Sequence, residues 1–272
     1  MFEMNDKATQ SFGTLKKYNK ITEENVAATV KSIVEWIKYQ VSKANRKGVV
    51  LGLSGGVDCS VVARLCQLSG VKTHLILMPY GDSMKESSKR AMELIEQYGF
   101  EYHIVDIKPV VDTMINNLNM ILGDDDTNHQ NYNLATINLR PRVRMATLYG
   151  YAQAKGYFVV GTSNLSEYIT GYFTKFGDNA YDINPIGNFT KKEVYILANY
   201  LKLPTSIISA KPSAELWEGQ TDEEELGLKY DDIDKYIIYG TTHNPDVDKK
   251  IQQRIDFTDH KRNQTAIYPI YS

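Results

Sequence analysis

A glycine-rich strand-to-helix junction, Leu51-Gly-Leu-Ser-Gly-Gly-Val-Asp-Cys-Ser60, constrains this chain more than any other feature. A short apolar run, Val49, Val50 and Leu51, precedes it, and Val61, Val62, Leu65 and Leu68 follow at helical spacing. A strand that turns through Ser54, Gly55 and Gly56 into a helix leaves unpaired backbone N–H groups at the helix's positive end. Such a turn cradles a phosphate, because the glycines let the anion approach and the hydroxyls of Ser54 and Ser60 add donors. Asp58 offers a carboxylate to a metal ion carried by the phosphates. The plainer alternative is a tight turn that needs only small residues. Two familiar nucleotide loops are excluded: no G-x-x-x-x-G-K-[S/T] occurs, and Gly52, Gly55 and Gly56 do not space as G-x-G-x-x-G.

Helical and strand patterns alternate around the junction. Val26, Val30, Ile33, Val34, Ile37 and Val41 form an apolar stripe along a helix at 23–45. A strand at 49–53 and a helix at 57–69 lead to a second strand, Thr73–Met78, and a helix at 85–98 closed by Gly99. A third strand at Tyr102–Asp106 precedes a helix at 109–121 opened by Pro109. A helix near 141–155 leads to a fourth strand, Tyr157–Gly161, and Thr190 with Glu193 forms a capping box for a helix ending before Pro204. This order predicts an α/β, Rossmann-like doubly wound parallel sheet with helices on both faces and ligands at the carboxyl ends of the strands. Residues 204–227 lack clear periodicity and are expected to form a loop, an active-site lid within a single domain spanning 1–272.

Size and charge narrow the class. A chain of 272 residues with net charge −2 can bury a large core and argues against a dedicated nucleic-acid binder. The N-terminus lacks the basic and apolar segments of a signal peptide, and no apolar run approaches the roughly 20 residues of a membrane span. Cys59 and Cys66, on one helix, make neither a disulfide framework nor a zinc site. A soluble cytoplasmic protein without membrane or nucleic-acid partners is expected.

A second constellation, Gly161-Thr-Ser-Asn-Leu-Ser-Glu167, follows the fourth strand as the first junction follows the first strand. If those strands are parallel neighbours, Asp58 and Glu167 emerge at one sheet edge and can share a Mg²⁺. Alternatively, Glu167 is a solvated first-turn residue favoured by the helix dipole. Downstream, Thr170-Gly-Tyr-Phe-Thr-Lys-Phe-Gly-Asp178 and Asp182 suit a polar, ring-bearing ligand: Tyr172, Phe173 and Phe176 to stack, Lys175 for a phosphate or carboxylate, Asp178 or Asp182 for ribose hydroxyls. The alternative for any one aromatic is core packing. Arg140, Arg142 and Arg144 are two apart, so a helix puts Arg142 on the face opposite the other two. Pro141 suggests a helix beginning there, with Arg140 in the preceding turn.

The Ser54–Ser60 segment resembles the SGGxDS loop of the ATP pyrophosphatase superfamily, with Cys59 where a serine is usual. The segments GTSNLSEYITGYFTKFGD, INPIGNFTKKEV, KPSAELWEGQTDEEELGLKYDDID and HKR at 260–262 are similar to the ammonia-dependent NAD synthetases, in order from about residue 20 to residue 265. The resemblance implies an adenine nucleotide alpha-hydrolase-like fold and a ligase that amidates deamido-NAD with ammonia, converting ATP to AMP and pyrophosphate through an acyl-adenylate. It implies that Gly52, Leu53, Ser54, Gly55, Gly56, Val57, Asp58 and Cys59 bind the ATP phosphates and that Asp58 and Glu167 hold Mg²⁺. It further implies that Thr162, Lys191 and Ser213 contact ATP, and that Arg142, Lys175, Asp182, His260 and Lys261 contact deamido-NAD. Asp58 and Lys191 are the expected catalytic pair, and a homodimer is expected. The family usually carries alanine at the position of Pro141. Glutamine-dependent relatives carry an additional amidase domain for which this chain has no length, so free ammonia, or ammonia from a separate protein, is the expected nitrogen source.

Overall fold

The computed structural model describes residues 21–81, 86–123, 127, 130–212 and 221–263. Four strands, β1 (Gly48–Gly52), β2 (Thr73–Leu77), β3 (Glu101–Ile104) and β4 (Tyr157–Val159), form one sheet in the order β3-β2-β1-β4, with every pairing parallel. The chain therefore winds outward from β1 to β3, then returns across the sheet to place β4 on the other side of β1. The order reverses between β1 and β4, and ligands of open α/β sheets bind beyond the strand ends at such a switch point.

Alternation along the strands explains the layers. Val49 and Leu51 of β1 and Leu75 and Leu77 of β2 face one side and are buried against α1 (Val26–Lys43), α2 (Val57–Leu68), α3 (Glu86–Tyr98) and α7 (Lys191–Tyr200). Val50 and Ile76 face the other side, buried with Val111 of α4 (Lys108–Asn119) and with Val143 and Ala152 of α5 (Gln130–Lys155). The stripe on α1 is buried at Val26, Val30, Ile33, Ile37 and Val41. Helix α2 is buried almost all round because α1 and α7 flank it over the sheet.

A third buried cluster joins α6 (Leu165–Thr170) to C-terminal helices α9 (Asp222–Leu226), α10 (Tyr230–Tyr239) and α11 (Pro245–Phe257) through Leu165, Ile169, Leu226, Ile233, Ile251 and Ile255. Two short helices complete the described elements, α8 (Thr205–Ile208) and α12 (Asp259–Arg262). Among the described residues no helix is long and apolar enough to cross a membrane.

Three sequence expectations are corrected. The helix containing Pro141 begins at Gln130, so the proline lies inside α5 and Arg140 is helical, not in a preceding turn. The segment 204–227 is not a plain loop at its ends: α8 buries Ile207 against the main core and α9 buries Leu226 against the third cluster, while 213–220 lie outside the described residues. Strand β3 ends at Ile104 and all four of its residues are exposed, as befits an edge strand.

Candidate active site

Strand β1 continues its ladder through Leu53, whose amide donates to the Ile76 carbonyl at 3.0 Å, and then turns. Gly55 sits at φ +87°, and a Cβ there would lie 1.9 Å from the Ser87 carbonyl oxygen, so only glycine fits. Gly56 occupies the N-cap of α2 without a capping side chain, which leaves first-turn amides from Val57 onward free to meet an anion. Ser54 is exposed at this mouth, its Oγ accepting the Gly56 amide at 3.3 Å.

Cys59 and Ser60 turn the other way. The Cys59 thiol is buried, donates to the Gly56 carbonyl at 3.2 Å and lies 3.3 Å from Ser54 Oγ. Ser60 is fully buried and its hydroxyl donates to the same carbonyl at 2.7 Å. Ser60 is therefore a strut within the turn, which corrects its reading as a phosphate donor.

The loop from β4 into α6 stands beside this mouth because β4 pairs with β1. Gly161 is required there: a Cβ would come within 2.3 Å of the Tyr181 ring. Asn164 caps α6 through a reciprocal box, its side chain accepting the Glu167 amide at 3.0 Å while Glu167 Oε2 accepts the Asn164 amide at 3.3 Å.

Four side chains converge across the two loops. Lys191 Nζ donates to Asp58 Oδ2 at 2.6 Å and to Glu167 Oε1 at 3.2 Å, and Asn164 Nδ2 donates to Asp58 Oδ1 at 2.8 Å. Lys191 is only 3% exposed and holds the largely buried Glu167 carboxylate, so the reading of Glu167 as a solvated first-turn residue is overturned. Burial pushes the Glu167 carboxyl above its ordinary value, against the pull of Lys191 and helped by the negative charge of Asp58. Burial acts to lower Lys191, but the carboxylates of Asp58 and Glu167 more than reverse it, and the ammonium is held well above its ordinary value. With two carboxylates and one ammonium the cluster has an excess of negative sites.

Supporting residues invisible from the sequence fix this arrangement. The Lys191 ammonium lies over the Tyr230 ring, 5.1 Å from its centroid, and Tyr230 in turn donates to Asp222 Oδ2 at 3.0 Å. Asp222 also accepts from the Tyr172 hydroxyl at 3.1 Å. Tyr172 is thus engaged by an acid, which differs from its expected stacking role. Behind the lysine, Ser166 Oγ accepts the Lys191 amide at 3.0 Å, and Asp234 accepts both the Ser166 hydroxyl and the Lys192 amide. Glu193 accepts the Thr190 amide at 2.8 Å and the Ile21 amide at 2.8 Å, anchoring the first turn of α7.

A second group surrounds the 171–178 loop. Arg142 Nε donates to the Lys175 carbonyl at 3.4 Å, and Lys175 Nζ donates to the His260 carbonyl at 2.5 Å. Lys261 Nζ donates to the carbonyls of Gly171 and Phe173, both at 2.8 Å, and burial lowers its pKa. Arg142, Lys175, His260 and Lys261 are thus brought together. The opposite face of α5 carries Arg140, 4.1 Å from the Tyr80 ring centroid, and Arg144, whose Nε donates to the Met78 carbonyl at 3.0 Å. The division of the three arginines by face therefore holds although the helix starts earlier. Asp182 instead extends β4, its Oδ2 accepting the Val159 amide at 2.7 Å. Asp178 accepts the Thr174 amide at 2.8 Å, and Phe176 is exposed at φ +61°. Thr162 lies half-buried in the loop after β4, and Ser213 lies outside the described residues.

Known proteins are similar to this chain over most of its length. The NH(3)-dependent NAD(+) synthetase of Finegoldia magna is 40% identical over 241 residues, covering 88% of this chain and 94% of that protein. The structure of NMN synthetase from Francisella tularensis superposes with a TM-score of 0.84 at 32% identity, covering 93% of this chain and 100% of that one. The NH3-dependent NAD synthetase from Campylobacter jejuni, solved with nitrate, gives a TM-score of 0.72 at 28% identity, covering 92% and 100%. The sheet and its flanking helices are accordingly of the adenine nucleotide alpha-hydrolase type. Residues 29–265 match the NAD synthase family model, and the chain belongs to that family.

Proposed function

We propose that the protein amidates deamido-NAD with ammonia at the expense of ATP, releasing NAD, AMP and pyrophosphate. The observation that carries this reading is the Asp58–Lys191–Glu167 cluster at the mouth of the glycine turn, on the β1–β4 switch point of a NAD synthase chain. The nicotinate carboxylate attacks the α-phosphorus of ATP; the bond to the β-phosphate oxygen breaks and pyrophosphate leaves. Ammonia then attacks the acyl carbon, AMP departs with one former carboxylate oxygen, and the nitrogen gives up one proton to leave the carboxamide. Adenylation is needed because a carboxylate oxygen is a poor leaving group.

The residues have separable tasks in this reaction. First-turn amides of α2 and exposed Ser54 meet the triphosphate. Lys191, protonated and buried beside Asp58, opposes charge that develops on the phosphates. The paired oxygens Asp58 Oδ2 and Glu167 Oε1 already converge on one cation, the Lys191 ammonium, and hard oxygen donors of this kind would hold Mg²⁺. When bound, Mg²⁺ supplies charge neutralisation of the triphosphate. Arg142, Lys175, His260 and Lys261, gathered round the 171–178 loop, support a site for the anionic dinucleotide.

A homodimer fits this reading. Helices α4 and α5 and the residues after α4 expose Val110, Met114, Met120, Ile121 and Leu134, the last turn so fully that Met120 and Ile121 are 83% and 80% exposed. A second copy of the chain is the partner we assign to that face, and the cytoplasm, where ATP is made available, is the compartment.

The Francisella relative supports a second reading, in which the acceptor is the mononucleotide and not the dinucleotide. Steady-state rates with nicotinate mononucleotide and with deamido-NAD, at saturating ATP and ammonium, decide between them. We expect kcat/KM at least about 10-fold higher for the dinucleotide, since one lost phosphate contact is worth about 1.5–3 kcal/mol. The reverse order would transfer the assignment to the mononucleotide.

A further inference from the structure

We propose that Asn164 is a positioning residue for the reaction, holding the Asp58 carboxylate in the rotation that presents Oδ2 to the site. This inference rests on the assignment of Asp58 and Glu167 to the nucleotide's metal ion. Asn164 is fully buried, lies 106 residues from Asp58 in sequence, and touches both carboxylate-bearing residues at once. Its carboxamide bridges two requirements of opposite sign. Oδ1 must face the Glu167 amide, a donor, and Nδ2 must face Asp58 Oδ1, an acceptor. Reversing the amide would set oxygen against oxygen and N–H against N–H, so the chemistry of the neighbours fixes its orientation.

The consequence for Asp58 is geometric. One oxygen is claimed by Asn164 at 2.8 Å, so the other is turned to the point where Glu167 Oε1 also arrives. Asp58 sits in the first turn of α2, where its side chain would otherwise be free to rotate toward the unpaired amides. Asn164 thus ties the phosphate turn after β1 to the carboxylate loop after β4 by a direct side-chain bond. Aspartate in its place would keep the cap and repel Asp58; serine would keep the cap and lose the bridge.

That difference makes the role separable from capping. Asn164→Ser retains an oxygen acceptor for the Glu167 amide but is too short to reach Asp58, whereas Asn164→Ala loses both. We expect Asn164→Ser to stay folded with a thermal midpoint above that of Asn164→Ala, while the Mn²⁺ concentration that half-saturates the protein bound to α,β-methylene-ATP, read by electron paramagnetic resonance of free Mn²⁺, rises at least about 10-fold. KM for deamido-NAD should be unchanged and kcat should fall in parallel with the metal defect. Asn164→Ala should show the same metal defect with a lower thermal midpoint; should it fail to fold, Asn164→Ser alone decides. Wild-type Mn²⁺ affinity in Asn164→Ser would reduce Asn164 to a helix cap and overturn the proposal. If the wild-type complex takes up no more Mn²⁺ than the nucleotide does alone, the metal assignment fails, and the inference with it.

Discussion

Asp58 receives two donors, Asn164 on one oxygen and Lys191 on the other, so its loss has a specific meaning. Removing one partner of an isolated buried ion pair is usually costly, but this cluster holds two carboxylates and one ammonium. Asp58→Asn leaves Lys191 paired with Glu167, so the fold should persist. Turnover should fall about 100-fold or more, as expected when a fixed charge is removed from a reacting phosphate site; turnover within 10-fold of wild type at an unchanged melting temperature would contradict the assignment. Cys59 makes the opposite prediction. Its thiol is committed to the Gly56 carbonyl inside the turn, and a serine hydroxyl makes the same contact, so Cys59→Ser should keep kcat/KM within about threefold. Both cysteines are buried, and burial pushes Cys66 up to about 12, so the folded protein should resist iodoacetamide and react at both thiols once unfolded. Rapid alkylation of the native protein would show that the turn opens.

Among the elements, the β2–β3 edge carries a titratable pair outside the site. His74 Nε2 lies 2.7 Å from His103 Nδ1, and the His74 ring stacks on Tyr151 of α5 at 4.8 Å. Burial lowers the His74 pKa, as do His103 and Lys155, while Glu101 on β3 opposes the shift. A histidine whose folded pKa lies below its unfolded value binds fewer protons when folded, so its contribution is present above the unfolded pKa and is lost as pH falls through that window. Urea midpoints measured from pH 8 to 5 should therefore decline below the ordinary histidine range, and His74→Phe should flatten the decline. An identical decline in the variant would remove His74 from the account. The elements themselves were unequally legible. Apolar runs ending at Leu51 and Val160, each followed by a glycine-containing turn, identify β1 and β4 from sequence alone. Pro141 misleads because proline favours the first turn of a helix, yet here tertiary packing of α5 on the sheet carries the helix through it.

For the molecule as a whole, the doubly wound topology converts sequence distance into contact. Lys191 meets Asp58 across 133 residues only because β4 returns to lie beside β1 and α7 then packs on α2. The residues that bear charge at the site were visible, since carboxylates and lysines in turn motifs stand out in a sequence. Their supports were not: Tyr230, Asp222 and Asp234 come from the C-terminal helices, whose pairing with α6 and α7 no local pattern announces. Asn164 was in view within Gly161–Glu167 but its partner was not. Adenylation at the switch point is the step on which the proposed reaction depends. The most direct test supplies deamido-NAD labelled with ¹⁸O in the nicotinate carboxylate, together with ATP, Mg²⁺ and ammonium, and follows the label by mass spectrometry. Adenylation requires equal amounts of NAD, AMP and pyrophosphate, with one labelled oxygen transferred to the AMP phosphate; AMP free of label, or ADP with inorganic phosphate in place of AMP, would rule it out.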